Sequence, residues 1–322
     1  MAKISPISMS NQSTISEFIL IGFPGLQQKF HIPVSVTMFL VYCVSLVANS
    51  SVIILVLQKE QLHQPMYIII RHLALSDLLF DTITLPKIIA KYWFGAGSIT
   101  FYGCFFQLFC VHNLGSLDSF IIMLMAIDRY VAICQPLRYH SIISNKTVTL
   151  LCYFLWAAAA LIGSIVAAIT GQLPYCGPNR VKNCFCVNSA VAALACVDVT
   201  LARRTVFTLA MCVLLLPLAF IILSYVLIIR VIHSSSNTEN SWKAFYTCST
   251  HLMVIGLYYI PRVFVYSTGQ IPLTLDADIN VLLLCLYTFI PHLSSPVIYC
   301  LRTKDIRNIF AQSFDNIFHA KI

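Results

Sequence analysis

Long apolar runs separated by short polar segments repeat along almost the whole chain. Each run is longer than the roughly 20 residues that an α-helix needs to cross the hydrocarbon core of a bilayer. Polar or Pro-containing segments bound every run, which keeps neighbouring runs apart. The pattern predicts seven membrane-spanning helices, at residues 30–57, 66–92, 102–133, 148–170, 203–232, 242–266 and 279–301.

The two ends of the chain carry different patterns. The first 29 residues lack the apolar core of a cleavable signal peptide and are predicted to form an extracellular tail. Residues 302–322 are predicted to form a cytoplasmic tail that begins with an amphipathic helix. Its aromatic residues are spaced one helical turn apart and follow two basic residues: Phe310, Phe314 and Phe318 after Lys304 and Arg307. The fold class is therefore an all-α membrane protein: one domain over residues 1–322, a seven-transmembrane-helix bundle with a short amphipathic helix after the last span.

Composition agrees with a membrane protein and excludes several other classes. Hydrophobic residues make up 59% of the chain and charged residues only 10%, whereas a soluble domain carries about 25% charged residues. The net charge of +8 is spread along the loop edges. We interpret it as anchoring at the lipid interface, and not as a surface for nucleic acid.

Cysteines orient the predicted bundle better than its basic residues, which divide almost evenly between the two sides. The loop between the fourth and fifth runs holds four cysteines on the same side as Cys104: Cys176, Cys184, Cys186 and Cys196. Such a cluster is typical of disulfides in an oxidising compartment. Asn11 begins a glycosylation sequon on that side. These features predict a plasma-membrane protein with an extracellular N-terminus.

Several short motifs together resemble those of one receptor family. Asp128, Arg129 and Tyr130 end the third run, and Cys104 lies 25 residues before Arg129, about 37 Å along a helix. Further motifs are EFILIGFPGL at 17–26, PMY at 65–67, LPK at 85–87, the spaced cysteines of 173–196, SY at 224–225 and KAFYTCSTHL at 243–252. The chain resembles the rhodopsin-like G-protein-coupled receptors, and among them the class I, fish-like branch of the odorant receptors, over its whole length.

The resemblance implies a function and two disulfides. A small organic odorant is expected to bind within the bundle and to activate a stimulatory, olfactory-type heterotrimeric G protein that raises cAMP. The alternative is a receptor of the same superfamily for a non-odorant metabolite, expressed outside the olfactory epithelium. Cys104 is expected to bond Cys186, and Cys176 to bond Cys196, which leaves Cys184 over.

The resemblance also assigns a G-protein switch to the inner end of the bundle. Its residues are Asp128, Arg129, Tyr130, Tyr225 and Tyr299. Arg129 is expected to pair with Asp128 at rest and then to turn towards the G protein. The alternative is a solvated ion pair at a helix end, whose contribution to stability is under about 1 kcal/mol.

Asp77 and Asp118 lie within spans, where carboxylates are costly and usually functional. By family analogy they face each other and share an allosteric sodium ion, the only cofactor expected, near Ser295. Ser295 stands where the family usually has Asn before Pro296. The alternative is a pair of protonated acids, because neighbouring carboxylates in a low dielectric raise each other's pKa.

A ligand site is predicted in the outer half of the bundle. Its candidate residues are Leu108, His112, Gly115, Ser116, Ser189, Tyr258, Tyr259, Arg262 and Tyr266. Arg262 follows Pro261 and is hypothesised to bind a ligand carboxylate through its planar guanidinium. Alternatively it extends outward or pairs with Asp276 or Asp278 at the rim. His112 fits a hydrogen-bonded core residue as well as a ligand contact.

Other classes of membrane protein fit less well. A retinal protein needs a lysine in the last span, and residues 279–301 contain none. The chain shows no repeated halves typical of transporters, and its intramembrane His and Cys residues lack the ligand spacing of a metalloenzyme. An amine receptor needs an acid in the outer third span, where this chain has Leu108 and His112.

Overall fold

The computed structural model describes residues 15–234, 238–268 and 276–302. For residues 238–248, 250, 268 and 299–302 it describes the backbone alone. That part of the chain contains seven long helices and two of a single turn. They are α1 (His31–Gln58), α2 (Pro65–Phe94), α3 (Phe101–Cys134), α4 (Tyr139–Ile142), α5 (Asn145–Gly171), α6 (Asn188–Val191), α7 (Thr200–Ser234), α8 (Thr238–Thr268) and α9 (Ala277–Arg302). Each long helix contains or overlaps one predicted span, which confirms the seven-helix bundle. The predicted amphipathic helix lies outside the described residues.

Local signals explain where the helices begin and end. Pro65 occupies the first position of α2, where its missing N–H removes no helical hydrogen bond. Gly95 ends the same helix with φ +72°, a left-handed conformation that glycine adopts without steric penalty. Thr100 precedes α3 and accepts a hydrogen bond from the Gly103 amide at 3.1 Å, as an N-cap residue should.

The outside of the bundle is apolar. Val47, Leu150 and Leu216 are each more than 60% exposed, and they represent many large hydrophobic side chains on the outer faces of the helices. Four helical segments are long and apolar enough to cross a membrane by length and composition alone: Gln28–Gln58, Asn145–Gly171, Thr200–Ser234 and Ala277–Ile298. The other three long helices carry more of the buried polar groups described below.

Helix α3 lies at the centre of the bundle. It packs against α2, α5 and α7, while α9 packs against α1 and α8. Leu114, Leu117 and Ile121 of α3 are at most 3% exposed and belong to the main hydrophobic core. The functional side chains on α3 are therefore held by contacts on several sides.

The N-terminal segment forms part of a small sheet, which the all-α prediction did not include. Strand β1 (Glu17–Leu20) pairs antiparallel with β2 (Ser98–Thr100) and parallel with β3 (Arg180–Val181). Phe18 and Leu20 are fully buried in a second core with Cys104. The described part of the predicted extracellular tail is thus folded onto the bundle. A four-residue strand is too short for its periodicity to be recognised in the sequence.

The segment after β1 bridges two helices. Gly22 turns the chain with φ +72°, and the next amide, of Phe23, donates to the Tyr92 hydroxyl of α2 at 3.0 Å. The Gly25 amide donates to both carboxylate oxygens of Asp278, at 2.9 and 3.0 Å. Below, the end of the bundle with this sheet is called the outer end, and the end with Asp128 the inner end.

Candidate functional site

Two disulfides fix the long loop at the outer end. Cys104, at the start of α3, is bonded to Cys186 with a Cα–Cα distance of 5.5 Å. Cys176 is bonded to Cys196 with a Cα–Cα distance of 5.9 Å. These are the two pairs that the family resemblance implied. The loop is consequently attached to the central helix and also closed on itself.

Two amide side chains that the sequence analysis did not single out bind this loop to the helices. Gln107 of α3 accepts from the Cys186 amide at 2.8 Å and donates to the Ile83 carbonyl of α2 at 2.9 Å. Asn188 donates from its side chain to Thr170 Oγ1 at 2.7 Å. Because both amides are buried, these hydrogen bonds fix the position of the loop over the bundle.

The structure corrects the prediction for Ser189 and locates His112. Ser189 is exposed, whereas its neighbour Asn188 is buried and its amide N–H donates to His112 Nε2 at 3.4 Å. His112 therefore lies under the loop with one ring nitrogen engaged. Neighbouring residues of a helix point about 100° apart, which is enough to bury Asn188 and expose Ser189, and the sequence carried no periodic signal there.

Two tyrosines of α8 are hydrogen-bonded to α3. The Tyr258 hydroxyl donates to the Gly115 carbonyl at 2.6 Å. The Tyr259 and Ser119 hydroxyls lie 2.8 Å apart, and Ser119 Oγ also lies 2.9 Å from the Val213 carbonyl of α7. The predicted ligand residues Tyr258, Tyr259 and Gly115 thus take part in hydrogen bonds that join α3 to α8.

The remaining predicted ligand residues divide into two groups. Leu108 is fully buried in the second core under the sheet, and the Ser116 hydroxyl donates to its own helix at the His112 carbonyl. Tyr266 is half-buried, with its ring centroid 6.3 Å from that of Tyr287. The structure therefore brings Tyr266 near the Arg262 region and packs Leu108 beside the loop, while the Ser116 hydroxyl is bound within α3.

Arg262 points into the bundle and is only 5% exposed. Its guanidinium carbon lies 3.6 Å from the centroid of the Tyr258 ring and 5.5 Å from that of Tyr287. One nitrogen donates to the Tyr258 carbonyl at 3.4 Å. No carboxylate among the described residues forms an ion pair with it, and Asp278 instead binds the Gly25 amide. The alternatives of an outward Arg262, or of a pair with Asp276 or Asp278 at the rim, are therefore wrong.

A cluster of three carboxylates and one imidazole lies deep in the bundle. His292 Nδ1 is 2.8 Å from Asp81 Oδ1, and His292 Nε2 is 3.6 Å from Asp77 Oδ1 and 3.8 Å from Asp118 Oδ2. The structure therefore brings Asp77 and Asp118 together, as expected. Sequence reasoning missed Asp81 and His292, although Asp81 lies one turn after Asp77, on the same face of α2.

Three buried atoms of this cluster have no hydrogen-bond partner among the described residues: Asp77 Oδ2, Asp118 Oδ2 and His292 Nε2. One ligand atom from each of these residues can be chosen so that all lie within 4.8 Å of one another. Ser295 is buried one turn after His292. Uncompensated carboxylates are costly in a low dielectric, so this donor set fits a shared cation, with His292 facing the same gap.

The inner end holds a hydrogen-bonded ion pair. Arg129 Nη2 lies 2.8 Å from Asp128 Oδ2, and the Tyr139 hydroxyl donates to Asp128 Oδ1 at 2.8 Å. Burial, together with the Asp128 carboxylate, raises the pKa of Tyr139, which lies in α4 beyond the span. The sequence analysis did not single out Tyr139. The alternative of a solvated pair does not fit, because Asp128 is 1% exposed.

The other residues of the predicted switch are placed less completely. Tyr130 is half-buried beside the pair, and Tyr225 of α7 is 5% exposed. Tyr225 lines a small internal cavity together with Met125 of α3 and His251 of α8. The side chain of Tyr299 and the whole of Asn11 lie outside the described residues.

Comparisons with known proteins agree with this geometry. Residues 38–316 match the family model described as olfactory receptor. Olfactory receptor 56B34 of Mus musculus is 38% identical over 309 residues, which cover 95% of this chain and 94% of that protein. Olfactory receptor 56A1 of Homo sapiens is 35% identical over 302 residues, with 93% and 95% covered. Squid rhodopsin superposes with a TM-score of 0.73 at 16% identity, covering 91% of this chain and 87% of its own.

Proposed function

The chain belongs to the olfactory receptor family, and from this membership we propose that it detects a small organic odorant and activates a stimulatory, olfactory-type G protein that raises cAMP. Membership makes it a multi-pass membrane receptor and not an enzyme. The observation that carries the proposal is the Asp128–Arg129 pair, buried at the inner end and held by Tyr139. Breaking that pair would release the Arg129 guanidinium for a partner protein.

Activation is proposed to shift an existing equilibrium between two arrangements of α8. In the structure, Tyr258 and Tyr259 bind α8 to α3 in the outer half of the bundle. A ligand that contacts this pair stabilises one arrangement over the other only if it binds the two with different affinity. The outer half is therefore the sensing region, and the inner ends of α3 and α8 are the responding region.

The proposed ligand class is a small organic acid. Arg262 is buried beside Tyr258 and Tyr287. Its guanidinium offers five N–H donors, and one of them donates to a described residue, the Tyr258 carbonyl, at 3.4 Å. A buried guanidinium without an anionic partner is unfavourable. A carboxylate would supply the missing charge and accept two parallel hydrogen bonds.

A sodium ion is proposed as an allosteric ligand of the carboxylate cluster. Asp77 and Asp118 would hold it through the two free oxygens, because hard cations prefer oxygen ligands. The ion would supply a positive charge that favours the resting bundle. His292 Nε2 faces the same gap, so the imidazole limits the space in which sodium binds.

The proposed orientation places the N-terminus outside the cell, with the receptor in the plasma membrane. Its support is chemical: the two disulfides and the sheet lie at one end, and disulfides persist in oxidising compartments. The Asp128–Arg129 pair then faces the cytoplasm, where a G protein is available.

The experiment that tests the proposal is a cAMP assay in cells that lack endogenous olfactory receptors. The full-length receptor is expressed with the olfactory-type G protein, and a panel of short acids, esters, alcohols and amines is applied. A concentration-dependent rise in cAMP that needs both receptor and G protein supports the proposal. A response that persists without that G protein, or no response to any member while surface staining is normal, contradicts it.

A further inference from the structure

We propose that Cys184 and Cys285 form a third disulfide, which joins the outer loop to α9. Their sulfur atoms lie 3.8 Å apart. Both side chains are buried, with exposed fractions of 1% and 9%. The pair brings together two thiols that are 101 residues apart in the sequence.

The count of cysteines at the outer end points to the same pairing. Five cysteines lie in or beside the loop, and two disulfides use four of them, which leaves Cys184. Its partner escaped the sequence analysis because Cys285 lies within the last apolar run. Adding Cys285 makes the outer set even, as expected for a segment that folds in an oxidising compartment.

Contacts of neighbouring residues keep the two sulfur atoms close to each other. The Cys184 amide donates to the Asn183 side chain at 2.7 Å. Phe185, the next residue, contacts the Phe289 ring of α9 with a centroid distance of 6.3 Å. Phe289 follows Cys285 by four residues and therefore lies on the same face of the helix. The loop and α9 are thus already in contact, and the two sulfurs must close from 3.8 Å to an S–S length of about 2.05 Å.

The bond would form during folding, while the loop is still accessible. One thiolate attacks the disulfide of an oxidised dithiol–disulfide oxidoreductase, and the second thiolate then displaces that enzyme from the mixed disulfide. Two protons leave the cysteines, and two electrons reduce the enzyme to its dithiol. In the folded but still reduced loop, the hydrogen bond with Cys285 and burial raise the pKa of Cys184, so a pair that escaped oxidation during folding would react slowly afterwards.

The third disulfide would turn the loop into a short covalent bridge. Cys184 and Cys186 are separated only by Phe185, and they would connect α9 and α3 respectively. The outer end of α9 would then be held close to α3, above the carboxylate cluster. This inference rests on the proposed orientation, because the bond needs an oxidising compartment.

The test is disulfide mapping of the full-length receptor from mammalian cells, unfolded in denaturant with excess N-ethylmaleimide present so that buried free thiols are alkylated as well. The wild-type protein should give one species in which the loop peptide is linked to both the Cys104 and the Cys285 peptides. In Cys285→Ser the loop peptide should keep its bond to Cys104, and fragmentation should locate one alkyl group on Cys184. Cys212→Ser, which removes an exposed thiol of α7, is the matched control and should leave the wild-type map unchanged.

Other outcomes separate this inference from the orientation on which it rests. If Cys104–Cys186 is present and both Cys184 and Cys285 of the wild type carry alkyl groups, the third disulfide is absent while the orientation stands. A Cys104–Cys184 bond with Cys285 alkylated also overturns the proposal. If all outer cysteines are alkylated, the orientation itself fails. Because the wild-type map decides between these outcomes, the test does not depend on the folding of a variant.

Discussion

The hydroxyl of Tyr139 donates to Asp128 Oδ1 across 2.8 Å, while Arg129 holds the other oxygen of the same carboxylate at 2.8 Å. The carboxylate is therefore fixed from two sides, by its own helix and by the single-turn helix α4. Because the pKa of Tyr139 is raised above its ordinary value of about 10, the hydroxyl keeps its proton at physiological pH. The Tyr139 hydroxyl can therefore donate this hydrogen bond at physiological pH.

Replacing Tyr139 with Phe should raise cAMP in the absence of ligand. The change leaves one oxygen of a buried carboxylate unpaired, and a hydrogen bond to a charged group contributes about 1.5–3 kcal/mol. The resting arrangement should lose part of that stabilisation, so basal signalling should rise several-fold at equal surface expression. Tyr153→Phe, at an exposed tyrosine of α5, is the control and should show wild-type basal cAMP. Unchanged basal cAMP in Tyr139→Phe would refute the role of this bond.

Arg129→Ala should abolish G-protein signalling while surface expression and ligand binding stay near those of the wild type. Arg129 pairs with Asp128 at the inner end, away from the proposed ligand region at the outer end, and its buried Nε has no partner among the described residues. The measurement is ligand-stimulated cAMP, normalised to surface staining. Arg138→Ala changes an exposed arginine of the following loop and should retain most of the response. Normal amplitude and potency in Arg129→Ala would show that the switch lies elsewhere.

The sequence predicted features that depend on neighbouring residues better than features that depend on residues far apart in the chain. The seven spans and the Asp128–Arg129 pair are local features, so periodicity and adjacency were sufficient. The cluster around His292 was not, because Asp81 and His292 are 211 residues apart and only the bundle brings them together. Likewise, which of Asn188 and Ser189 faces the bundle depends on how the disulfides hold the loop. Asp278 could be excluded as a partner of Arg262 only because the structure shows it bound to the distant Gly25 amide.

Raising sodium at constant ionic strength should favour the resting state and lower ligand potency. The expectation follows from the two unpaired carboxylate oxygens of Asp77 and Asp118, which a cation stabilises. Asp118→Asn removes one negative charge and should reduce the sodium effect on potency several-fold. Asp198→Asn, at an exposed acid of the outer loop, should leave the effect intact. Equal salt responses in wild type and Asp118→Asn would favour protonated acids that are compensated by His292.

Arg262→Lys should lose most of the potency of an acidic ligand, although it keeps the positive charge. A lysine ammonium cannot reproduce the planar, two-point contact that a guanidinium makes with a carboxylate, nor its stacking on Tyr258. Losing a charge-assisted hydrogen bond of about 1.5–3 kcal/mol corresponds to a potency loss of roughly 10- to 150-fold. The measurement is the half-maximal concentration of an active acid in the cAMP assay, and Arg203→Lys, at an exposed arginine of α7, is the conservative control.

Matched ligands separate recognition of the anion from a purely structural role of Arg262. For one carbon skeleton, the acid should activate the wild type far more potently than its methyl ester or the corresponding alcohol, since only the acid supplies the charge that the buried guanidinium lacks. In Arg262→Ala that preference should disappear, because the ester and the alcohol do not depend on the guanidinium. If esters and alcohols activate the wild type as well as acids do, Arg262 serves instead to pack α8 against Tyr258 and Tyr287, and the ligand is not an anion.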